Sequence, residues 1–114
     1  MNTSLHIWMQ RVSAVPGVQA CVVRGTDKSL VAQSYDGTLP IPRLQNAMRD
    51  VIDVVHALWE SRIGTDRLRW TFEKGRIHCT ARVDGAMAAL LVVPEMELSP
   101  EIDGLLSDFK HLQC

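Results

Sequence analysis

Residues 67–93 read RLRWTFEKGRIHCTARVDGAMAALLVV, and the fold is decided here. Leu68, Trp70 and Phe72 alternate with Arg67, Arg69, Thr71 and Glu73, while Ile77, Cys79 and Ala81 alternate with Arg76, His78, Thr80 and Arg82. A period of two with apolar residues on one side predicts two half-buried strands, each with one wet face. If Lys74-Gly75 is the two-residue loop, Phe72 faces Ile77, Trp70 faces Cys79, Thr71 faces His78 and Glu73 faces Arg76, and this register sorts both faces. Beyond the Asp84-Gly85 turn, Ala86 to Val93 is apolar on both faces, as a strand covered from two sides must be.

Working toward the N-terminus, only Val18 to Val23 shares that property. The turn residues Gly25-Thr26-Asp27-Lys28 follow it, then a short β-rich run, Leu30 to Ala32, so this pair reads as a hairpin. Two strands apolar on both faces belong in the middle of a sheet, and each already has a hairpin partner on one side. Setting them side by side gives the spatial order 2-1-5-4-3 with helices on both faces. The third strand is then an open edge with no Pro or bulge to protect it, although its charges discourage random pairing.

Helices fill the remaining segments. Leu5, Trp8, Met9 and Val12 recur at helical spacing behind Thr3 and Ser4, and Pro16-Gly17 stops the run, which predicts a helix over about residues 4–14. Ser99-Pro100 opens a last helix with Ile102, Leu105, Leu106 and Phe109 inward. Between them, Pro40 and Pro42 suit the start of a long helix and Gly64 its end. On that helix Val54, Ala47, Leu58, Val51, Leu44, Val55, Met48, Trp59 and Ile52 cover roughly 180°, where one core needs a stripe of about 100°. The excess is either a thick core or a surface for a partner. Residues 4–112 are expected to form one α/β (α+β) domain with a five-stranded antiparallel sheet, and residues 1–3 and 113–114 flexible ends.

Composition narrows the function classes. The 114 residues are 46% hydrophobic, enough for one core without metal or disulfide staples. Twelve basic against 13 acidic residues, a net charge of −1, removes the broad footprint of a phosphate-backbone binder, so no nucleic acid is expected. The longest apolar stretch is too short for a span of about 20 residues and no cationic leader precedes an apolar run, so no membrane insertion is expected. Cys21, Cys79 and Cys114 make neither a disulfide framework nor a zinc spacing, which favours a reducing, cytoplasmic setting.

Chemistry-bearing patterns are scarce. Gly25 to Ser29, GTDKS, fails as a phosphate loop because Asp27 and Val23 stand where glycines are required. His6, His56, His78 and His111 fall on four elements, and Asp53, His56 and Glu60 read as a solvated helix face. Cys21 and Cys79 point inward among Val, Ile and Ala, where a thiol is a small hydrophobe. No catalytic residue, cofactor site or metal site is therefore assigned. Arg67, Arg69, Arg76 and Arg82 gather with His78 on the outer face of the third and fourth strands, either to recognise an acidic protein surface or a phosphate or as a solvated face. Trp59 and Trp70 are candidate interface anchors or core residues; Trp8 reads as core.

With Val15-Pro16-Gly17-Val18 joining a short helix to an apolar strand, the long helix Ile41 to Ile63, the apolar strand Ala86 to Val93 and a final helix carrying Leu105 and Leu106, the chain resembles the roadblock family of dynein light chains and bacterial GTPase regulators. The resemblance covers Leu5 to Leu112 and departs at Gly25-Thr26-Asp27-Lys28, where many members have an Asp-Gly turn. It implies a profilin-like sandwich, dimers joined through the long helix and third strand, and binding to small Ras-like GTPases or their complexes. With the wide arc and open edge, it places the dimer interface on Met48, Ile52, Val55, Trp59, Leu68 and Trp70, while the basic cluster beside that edge makes Arg67, Arg69, Arg76, His78 and Arg82 the expected partner-binding residues. The expected protein is a non-catalytic module, paired with itself or a related roadblock-like chain, that regulates or scaffolds a GTPase. The competing reading, a small-molecule sensory domain, needs polar groups converging inside the core.

Overall fold

The structure, a computed structural model, describes all residues except 1, 2, 36, 38, 65, 73, 74, 97, 113 and 114, together with the side chain of Phe72. The expected Glu73–Arg76 pair, the Lys74 turn position, Cys114 and the outermost residues of both expected flexible ends lie outside the described residues. The elements are α1 (Thr3–Ser13), β1 (Val18–Arg24), β2 (Leu30–Ser34), α2 (Ile41–Glu60), β3 (Arg67–Phe72), β4 (Gly75–Ala81), β5 (Met87–Val92) and α3 (Pro100–Phe109), with a single 3-10 turn at Pro94–Met96. All strand pairs are antiparallel and the order is β2-β1-β5-β4-β3, the order expected from the two strands apolar on both faces.

β1 and β5 meet at the centre, with Cys21 opposite Leu90 and Val23 opposite Ala88. Their alternate side chains feed two separate cores. On one face α1 and α3 bury Trp8, Val12, Cys21, Val23, Leu90, Val92, Ile102, Leu106 and Phe109. Trp8 donates its indole N–H to the Leu105 carbonyl at 2.8 Å, and its ring lies 5.1 Å from that of Phe109, so the largest side chain of this core is satisfied at both ends. On the other face α2 lies chiefly over β2 and β1 and buries Leu44, Met48, Val51 and Val55 against Ala20, Val22, Met87 and Ala89.

Local chemistry explains the connections and corrects three expectations. In the β1–β2 turn the positive φ falls on Lys28 (70°), and Asp27 Oδ1 accepts from both the Ser29 N–H (3.0 Å) and its hydroxyl (2.6 Å). The Asp side chain holds the turn that an Asp-Gly pair would otherwise supply. α2 ends before Gly64: Arg62 takes φ 62°, its N–H bonds the Trp59 carbonyl, and the Ile63 N–H bonds the Leu58 carbonyl at 2.9 Å. That is the left-handed two-bond cap usually built on glycine, here built on arginine two residues earlier. Pro40 and Pro42 do flank the helix start as expected. Ser99 precedes α3 but makes no side-chain capping bond; only its carbonyl engages the helix.

The second correction is the β3–β4 register. Trp70 faces Ile77, Thr71 faces Arg76, Arg69 faces His78 and Phe72 faces Gly75, two residues from the expected pairing. A shift of two keeps every side chain on its face, so alternation alone could not tell the two registers apart. Gly75 is the first residue of β4, opposite Phe72, and a Cβ there would meet the Val92 carbonyl oxygen at 3.3 Å, so the strand passes closely at this point. The third concerns the wet face of β4: His78 is 3% and Thr80 0% exposed, because α3 packs across that strand.

Candidate functional site

The two cores differ in how completely they are covered, and the less covered one makes the candidate site. α2 lies toward the β2 side, so the α2-facing side chains of the β3–β4 half are only partly roofed: Leu68, Trp70, Ile77 and Leu91 are all half-buried. The flank of α2 that overlooks them carries Ala47, which is exposed, and Val54, which is 41% exposed. Ala47 also lines a cleft with Ile77 and Leu91, which fixes the direction in which this flank points. An apolar strip thus runs from α2 across the sheet to β3, the edge strand.

The six expected interface residues separate into two groups. Met48 is 1% and Val55 0% exposed inside the chain's own core, so they present no surface to a partner; they are the centre of the stripe that holds α2 on the sheet. Ile52, Trp59, Leu68 and Trp70 keep part of their surface while packing on that core. Ala47, Val54, Ile77 and Leu91, which complete the apolar strip, were not among the expected interface residues. The first two belonged to the arc, but its two flanks are symmetric in sequence, and only the offset of α2 on the sheet distinguishes them.

The expected arginine face is also divided, mostly by α3. Arg67 pairs with Asp103 at 2.9 Å, and Lys110 of the same region reaches Asp66. Arg82 donates to the carbonyls of Phe109 (3.2 Å) and Leu112 (2.5 Å), lies 5.7 Å from the Phe109 ring centroid and pairs with Asp84. It closes the C-terminal end of α3, where the last carbonyls lack helical partners. Arg82 is therefore committed within the chain, and His78 is buried; neither offers a surface. Arg76 is half-buried with its guanidinium on the Gly75 carbonyl, and Arg69 is exposed. Arg67, Arg69 and His78 line a pocket of about 280 Å³ with Leu68, Leu98 and Asp103.

Two solved structures share this fold. Myxococcus xanthus MglB superposes with a TM-score of 0.64 at 8% sequence identity, over 89% of this chain and 86% of its own. A Roadblock/LC7 domain from Streptomyces avermitilis superposes with a TM-score of 0.61 at 14% identity, over 95% and 94%. The chain has the roadblock fold. No family profile matches the sequence, nor does any curated protein, so the likeness is one of topology.

Within this roadblock fold the remaining candidates for chemistry are set by burial. Desolvation pushes the Cys21 thiol up to about 12, and the Cys79 thiol likewise, the latter against the pull of the Arg67 charge. Neither forms thiolate near neutral pH, so neither is an activated nucleophile. Among the described residues no three His, Cys, Asp or Glu side chains converge as metal ligands, and no helix is long and apolar enough to cross a membrane. The cavity under α2 is about 60 Å³ and lined by apolar side chains such as Val22, Leu44 and Met48, well below the roughly 300–1,000 Å³ of small-molecule sites.

Proposed function

We propose that this protein is a non-catalytic interaction module that pairs with a second copy of itself, or with a related roadblock-like chain, and regulates or scaffolds a small Ras-like GTPase in the cytoplasm. The observation that carries the reading is the half-covered apolar strip from Val54 and Ala47 on α2 through Ile77 and Leu91 to Trp70 and Leu68 at the β3 edge. Exposed apolar surface continuous with an unpaired strand edge is costly in an isolated domain, and pairing two copies covers both at once. The resemblance of the sequence to roadblock proteins and the shared fold point to a GTPase as the protein served. The small size of the cavity under α2 speaks against the sensory reading.

Sedimentation velocity at micromolar concentration tests the pairing. About twice the chain mass is expected, with an interface of at least ~1,000 Å² in total. Val54→Glu should give folded monomers whose melting temperature falls only by what pairing supplied and no longer depends on protein concentration, because it places a charge on a surface that only the partner buries. A wild-type monomer at that concentration would overturn the dimer. Titration against Ras-like GTPases in both nucleotide states then tests the partner, and nucleotide hydrolysis by this protein alone would contradict the non-catalytic reading.

A further inference from the structure

We propose that the pocket between β3, β4 and the first turn of α3 binds an acidic side chain of a partner protein, with an apolar residue beside it, and that Asp103 holds the pocket's cation when no partner is present. This rests on the interaction-module reading and names the chemistry of one contact. The pocket is lined by Arg67, Leu68, Arg69, His78, Leu98 and Asp103, with a volume of about 280 Å³. That is near the low end of ligand sites, roughly 300–1,000 Å³, and suits a side chain.

Arg67 and Arg69 stand two residues apart on one strand and so project from the same face, roughly 7 Å apart, close enough for two guanidinium forks to share one carboxylate. His78 lies directly across from Arg69 and forms the floor at 3% exposure. Asp103 already shows what the pocket takes: its carboxylate sits 2.9 Å from Arg67 while its side chain stays 61% exposed. A single solvent-exposed pair of this kind is weak, so an incoming carboxylate that engages both arginines can replace Asp103 at little cost. Leu98, 79% exposed at the rim, supplies a contact for an apolar neighbour. Arg67 and Arg69 project from the sheet face opposite Leu68 and Trp70, so the pocket and the apolar strip can be occupied together.

The test uses the isotopically labelled full chain and three probes: acetyl-Leu-Glu-amide, acetyl-Leu-Gln-amide and inorganic phosphate, followed by amide shifts. The glutamate peptide should move amides of β3, β4 and the start of α3, with the glutamine peptide at least about tenfold weaker. Asp103→Asn should tighten the glutamate peptide by about fivefold, because the internal competitor is gone. Arg69→Gln, at an exposed position, should weaken it by about tenfold without lowering the melting temperature. Equal binding of both peptides, no gain in folded Asp103→Asn, or phosphate binding without peptide binding would each overturn the proposal. Sedimentation of the same samples separates the two readings: a dimer that ignores the peptide overturns only this inference, and a monomer that binds it overturns only the dimer.

Discussion

On the α1/α3 face the middle of the sheet is sealed, from Trp8 and Val12 through Leu90 to Phe109, with half-buried apolar side chains such as Leu5, Tyr35 and Met96 packed against this core, and polar contacts pin α3 at both ends. On the α2 face the covering helix is longer, yet Ile77, Leu91, Leu68 and Trp70 remain half-buried and Val54 is open. Two helices side by side span the sheet, whereas a single helix offset toward one edge cannot. Both faces bury a core, and only the α2 face leaves an apolar strip that continues to the sheet edge, the surface the proposed pairing would cover.

A matched pair of truncations would break that contrast most directly. Leu106→Ala on the sealed face should cost about 3–5 kcal/mol in urea unfolding, whereas Leu91→Ala on the unsealed face should cost less than about 2 kcal/mol in the monomeric Val54→Glu background. Equal losses would mean the two faces are equivalent. Next in size is the clamp on α3: Arg82→Met removes charge-assisted bonds to two carbonyls and should cost about 1.5–3 kcal/mol by the same measurement. Smaller and opposite in sign, Gly104→Ala should raise stability by about 1 kcal/mol, since the position is mid-helix and a Cβ there meets nothing within 4 Å.

The smallest effect is pH-dependent. A hydrogen bond from Lys110, reinforced by its charge, holds the Asp66 carboxyl below the usual carboxylate range. At Asp84 burial pushes the other way but is outweighed by the Ala86 N–H and Arg82. A folded value below the unfolded one gives stability that is present above about pH 4 and lost as pH falls through the folded value. Thermal melts from pH 5 to pH 2 should therefore show Asp66→Asn and wild type converging toward acid. A gap that persists at pH 2 would show that Asp66 acts through its hydrogen bond alone.

The sheet order was legible because β1 and β5 differ in kind from the other strands, and hydropathy on both faces is a property of the residues themselves. Three details depended on geometry that the residues leave degenerate. A two-residue register shift in the β3–β4 hairpin preserves the faces, so Trp70 could be matched with Cys79 when it meets Ile77. The end of α2 rested on Gly64, while the backbone turned at Arg62 without a glycine. At the candidate site, the width of the apolar arc was visible in sequence but its outward flank was not, because that depends on where α2 lies over the sheet. Arg82 and His78 read as a wet face because nothing in β4 announces that α3 will return across it.

The central position of β5 also governs how the chain assembles. Cys21 of β1 pairs with Leu90, roughly 70 residues further along, whereas each hairpin closes locally. Before β5 is in place, the β1–β2 and β3–β4 hairpins have no sheet in common, and an isolated hairpin is marginal in water. Neither half is then a domain in its own right. Folding should be a single cooperative event gated by the last strand, and until that moment the arginines of β3 should disfavour pairing of an uncovered hairpin with another chain.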